Sequence, residues 1–128
     1  MRPTLRVAII LTRLLGVVQI LAGIDIWIRA ARSAVPLHAA LGSLLVVVIW
    51  IIAVIALFAL PRRGLPLFTL LWGAIVLWFG MAQTTLVVGA GHWVIRVAHL
   101  VIGLAALGLA ESLASATRRH WDAVHPKA

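Results

Sequence analysis

Two histidines carry the chemistry legible in this sequence. His38 and His99 are each followed four residues later by glycine, in His38-Ala39-Ala40-Leu41-Gly42 and His99-Leu100-Val101-Ile102-Gly103. Each lies near the start of a strongly apolar run. Ionisable side chains in such runs are costly to hold in lipid and mark functional sites. A neutral imidazole is a metal ligand, and two of them facing each other complete a six-coordinate haem iron. The chain has no cysteine, which excludes disulfides, thiolate metal centres and c-type haem attachment, so histidine alone would hold the iron.

The elements that must position these residues follow from composition. Of 128 residues, 64% are hydrophobic, and mean hydropathy is +1.16. A soluble domain of this size leaves too much surface in water to hide that much apolar area, so lipid is the solvent. The length allows four spans of about 20 residues and little else. The expected fold is therefore all-α: an integral membrane four-helix bundle built from two tandem helical hairpins, in one domain.

Taken in order, the spans are expected at 7–28, 36–60, 66–88 and 92–116, with a polar tail at 117–128. The basic start and the small residues at Ala30-Ala31 resemble a secretory signal, but Asp25 interrupts the run and more membrane sequence follows, so the first span is expected to be retained. Pro36 suits a first helical turn. Pro61-Arg62-Arg63-Gly64-Leu65-Pro66 and Gly89-Ala90-Gly91 are breakers. Short loops make consecutive helices antiparallel neighbours.

A net charge of +8 would suggest nucleic acid in a soluble protein. Here the basic residues flank apolar runs, which assigns them to topology rather than to nucleic-acid binding. Arg2, Arg6, Arg13, Arg62, Arg63, Arg118, Arg119 and Lys127 gather on one side, against Arg29, Arg32 and Arg96 on the other. This distribution predicts a multi-pass protein of the bacterial inner membrane with both termini cytoplasmic. His38, His92, His99, Asp25, Gln83, Thr84 and Thr85 then fall toward the outer face.

The halves repeat. Gly16 and Gly23 are seven apart in the first span, as are Gly73 and Gly80 in the third; the second and fourth each carry His-x-x-x-Gly. Spacings of four and seven keep residues on one helix face. Two such hairpins close around a pseudo-twofold axis along the membrane normal, which makes His38 and His99 mates. Small residues in membrane helices also serve plain close packing. For a porphyrin, Gly42 and Gly103 would thin the wall one turn below each histidine, and Gly16, Gly23, Gly73 and Gly80 would do so on the flanking helices. The second ring nitrogen is expected to bond a carbonyl one turn back, near Ala34 or Ile95. Arg96, near the interface before His99, suits an anionic propionate or simple anchoring.

His92 is the rival ligand, but it sits at the turn and Arg96, not glycine, follows it by four. Asp25 is expected to pair with Arg29, and Glu111 with an arginine; Gln19 has no assigned role. With these residues in view, the chain resembles small membrane cytochromes b: the four-helix unit of cytochrome b561-type proteins and of each half of haem A synthase. The resemblance covers about Leu14 to Ala114 and rests on His38, His99, their glycines and the repeat. It implies haem b with bis-histidine ligation at His38 and His99, and electron transfer rather than an independent catalytic activity. One ligand pair implies one haem. The implied partners are membrane lipid and a quinol, a periplasmic redox protein or a larger respiratory or photosynthetic complex, with a homo-oligomer also open. The alternatives are a haem-free scaffold whose histidines bond between helices, a small four-span exporter, and a metal centre from His38, His92, His99 and Asp25.

Overall fold

The computed structural model describes residues 2–87 and 89–126, excluding the side chain of residue 2. It is helical throughout: α1 spans Arg2–Arg29, α2 Val35–Ala59, α3 Gly64–Ala82 and α4 His92–Val124, with one 3-10 turn at Arg32–Ala34 between α1 and α2. All four helices are long and apolar enough to cross a membrane. The chain is a multi-pass four-helix bundle, as its composition requires.

Packing is diamond-shaped. α2 and α4 touch each other, and each touches both α1 and α3, while α1 and α3 make no contact among the described residues. α2 and α4 thus form the short diagonal. The repeat read in the sequence is realised residue by residue. Fifty-seven positions separate Gly16 from Gly73 and Gly23 from Gly80, and 61 separate His38 from His99. The same offsets relate the core of α2 (Leu45, Ile49, Ile52, Ala53, Ala56) to that of α4 (Ala106, Ala110, Leu113, Ala114, Thr117), all buried. They relate Thr12 to Thr69, each buried and donating its hydroxyl to the carbonyl one turn back, Ala8 and Leu65. They also relate two contacts between halves: Gly16 against Leu107, and Gly73 against Val46.

Three helix ends differ most from expectation. α1 already begins at Arg2, where the first span was expected from 7. α3 stops at Ala82 rather than continuing to Val88: Thr84 and Thr85 are β-branched and polar, and Thr85 Oγ1 donates to the Ala82 carbonyl at 2.8 Å. Val87 (φ 47°) and Gly89 (φ 98°) then reverse the chain; Val88 lies outside the described residues. α4 continues through Val124, where a polar tail was expected from 117. Polarity alone does not end a helix, and no glycine or proline follows Gly108 until Pro126.

The arginine end, where Arg6, Arg62, Arg63, Arg118 and Arg119 lie, is the packed end. Buried residues reach as far as Gly16, Gly73, Leu45 and Ala106, which form one symmetric layer. Beyond it, toward the histidines, no described residue is buried to that degree.

Candidate functional site

His38 sits one turn into α2 and His99 two turns into α4, at matching levels of antiparallel hairpins. Their rings face across the short diagonal with centroids 6.3 Å apart and planes inclined at 59°. Each ring reaches sideways to the glycine of its own hairpin. A Cβ at Gly23 would sit 3.4 Å from His38 Cε1, and one at Gly80 would sit 3.3 Å from His99 Cε1. Glycine here lets an imidazole stand against bare backbone.

Both Nδ1 atoms are buried and have no hydrogen-bond partner. The expected bond to a carbonyl one turn back does not form. The rings point across to the neighbouring helix rather than back along their own, and the Ala34 and Ile95 carbonyls serve the helix start. Buried polar groups are normally satisfied, so two orphaned imidazole nitrogens at one level set this layer apart from the packed core.

The glycines divide by level. Gly23 and Gly80 abut the histidines. Gly16 and Gly73 lie one layer deeper and admit side chains, Leu107 and Val46 with Trp50. Trp50 Nε1 donates to the Leu70 carbonyl at 3.0 Å across α2 and α3. Of the two glycines following the histidines, Gly42 is met by the Gln19 carboxamide, whereas Gly103 has no foreign atom within 4 Å of where a Cβ would stand.

Arg96 is exposed, nearly one turn from His99 toward the histidine end. Asp25 pairs with Arg29 at 2.8 Å, as expected for residues four apart on a helix. Glu111 takes a bidentate pair from Arg13 of α1, at 2.7 and 2.9 Å. The rival ligand His92 lies away from the pair; its Nδ1–H donates to the Leu86 carbonyl of the α3–α4 connection at 3.3 Å. Among the described residues no three His, Cys, Asp or Glu side chains come together, so His38, His92, His99 and Asp25 do not form one cluster.

Sequence reasoning missed two participants. Phe79 stacks on His99 with centroids 6.1 Å apart and planes 12° from parallel; its mate in the first half is Ala22, so no repeat announced it. Gln19 has Val76 as its mate, and that departure from symmetry was the available signal. A scan of protein-family models, a search of curated proteins and a search of solved structures each return no match.

Proposed function

We propose that this chain is a membrane haem b protein of the small cytochrome b kind, with His38 and His99 as the two axial ligands, working in electron transfer near one face of a bacterial inner membrane. The observation that carries this reading is the 6.3 Å between the two imidazole centres across the pseudo-twofold axis. A metal bound at about 2.0 Å from one nitrogen of each of two imidazoles separates the ring centres by roughly 6 to 6.5 Å. Two imidazole planes that share an axis can take any mutual angle, so the 59° inclination is compatible. Only two protein ligands are needed, so the lack of a third His, Cys, Asp or Glu beside them among the described residues does not count against it.

Three further features support the fit. The ring nitrogens are buried without protein partners. α1 and α3, at the ends of the long diagonal, do not touch, and a disc between the histidines would extend along that diagonal. A glycine backs each histidine ring, Gly23 at His38 and Gly80 at His99. Haem held by two histidines supplies one-electron transfer and leaves iron no open position for oxygen. The protein's own residues do the rest. His38 and His99 hold and centre the group; Gly23 and Gly80 allow the rings their approach; Phe79 fixes the plane of His99. Arg96 offers a cation where anionic propionates would emerge at the interface. The arginine distribution favours cytoplasmic termini and a site toward the opposite face. A quinol, a periplasmic redox protein or a larger redox complex would then exchange the electron.

The test is a visible spectrum of protein purified in mild detergent after expression with ample haem. Wild type is expected to show a Soret band and sharp reduced bands of a six-coordinate low-spin haem. His38→Ala and His99→Ala are each expected to lose them. Wild type without a Soret band, or haem that survives both substitutions unchanged, overturns the reading.

A further inference from the structure

The two halves of the bundle match at the histidines, the flanking glycines and the core, but differ directly beneath the histidines. Gln19 lies one turn below Gly23 on α1, and Gly42 one turn below His38 on α2. Since Gly23 abuts the His38 ring and Gly42 abuts the Gln19 carboxamide, the amide lies one helical turn beneath that imidazole. A Cβ at Gly42 would collide with Gln19 Nε2, so glycine is the side chain that admits it. In the second half the corresponding positions are Val76 and Gly103, and the notch at Gly103 holds nothing within 4 Å.

Gln19 Oε1 and His38 Nδ1 are both buried without a hydrogen-bond partner. An orphaned carbonyl oxygen in an apolar helix pair is costly, as is an orphaned imidazole N–H. The two are complementary and sit in adjacent turns of the same pair of helices. The Gln19 side-chain torsions, of which the terminal one is soft, are what would turn to bring the two together.

We propose that Gln19 is a positioning residue for His38. Its carbonyl oxygen accepts the His38 Nδ1–H, which fixes the ring in the tautomer that presents Nε2 as the ligand. His99 lacks such an acceptor and is held instead by Phe79. The two axial ligands are therefore inequivalent. An acceptor on the distal N–H raises the basicity of the ligating nitrogen and favours the oxidised iron. This proposal rests on the haem reading above for its redox consequence, but not for the hydrogen bond itself.

Redox titration of the haem-loaded protein tests it. Gln19→Leu is expected to lower haem affinity about tenfold and to raise the midpoint potential. Gln19→Glu, which keeps an acceptor, is expected to return both toward wild type. Val76→Gln, which places the same group beneath His99 opposite the open notch at Gly103, is expected to move the potential downward. Unchanged potential and affinity in Gln19→Leu overturn the proposal. If wild type takes up no haem, the function proposed above fails by itself. The pair is then decided on the haem-free protein by nitrogen-15 NMR of labelled histidine: His38 is expected to carry its proton on Nδ1 in wild type and to lose that preference in Gln19→Leu, and no difference overturns the proposal.

Discussion

The two ends of this bundle are built on opposite terms. At the arginine end, side chains interlock across the short diagonal, and the buried hydroxyls of Thr12, Thr69 and Thr117 all donate to a carbonyl one turn back. At the histidine end, three buried polar atoms have no partner, Gln19 Oε1, His38 Nδ1 and His99 Nδ1, and no described side chain is fully enclosed. Cohesion is concentrated in one half, and the other half is free to be shaped for a ligand. Unsatisfied polar atoms in an otherwise well-packed chain stand out because packing alone gives no reason to keep them.

Substitutions on one helix sharpen the contrast. Leu113→Ala, in the packed end of α4, is expected to destabilise by about 2–5 kcal/mol, because a fully buried leucine leaves a cavity. Leu100→Ala, on the same helix at the histidine end and only partly buried, is expected to cost much less. Denaturant titration in micelles, followed by tryptophan fluorescence, compares them; equal losses would break the division between the two ends.

A smaller effect is expected at Gly73. Gly73→Ala drives a methyl into Trp50 and displaces the indole from the Leu70 carbonyl, at a cost of roughly 1–3 kcal/mol. The same denaturation measurement checks it, and a variant as stable as wild type would show that the α2–α3 contact is not tight. The smallest effect is expected at Gly103. Gly103→Ala meets no neighbour, so haem-free stability is expected to stay within about 0.5 kcal/mol. Under the haem reading, bulkier Gly103→Leu is expected to weaken haem uptake while leaving the haem-free fold intact. A Gly103→Leu protein with a full Soret band would show that this notch faces no ligand.

Much of this was legible from the sequence. Apolar runs and breakers placed four helices, because in lipid the backbone must satisfy itself within each span. The matched glycine and histidine spacings located the pseudo-twofold axis, and through it the meeting of His38 and His99. The pairing of Asp25 with Arg29 follows from local spacing. What escaped was non-local or chemical in a different sense. The end of α4 was misplaced because polar residues solvate a helix as readily as a tail. Trp50 in the Gly73 notch and Gln19 in the Gly42 notch depend on which face of a neighbouring helix arrives opposite, and a single helix's periodicity does not encode that. Phe79 was hidden because apolar aromatics are unremarkable in a membrane span until a ring is found beneath one.

The length of α4 has a mechanical consequence. Its 33 residues make a rod of about 50 Å, while a bilayer core is only about 30 Å thick. The surplus stands at the end remote from the imidazoles and bears Arg118 and Arg119. This overhang and His99 belong to one continuous helix. A tilt of the overhang is thereby carried to the His99 imidazole.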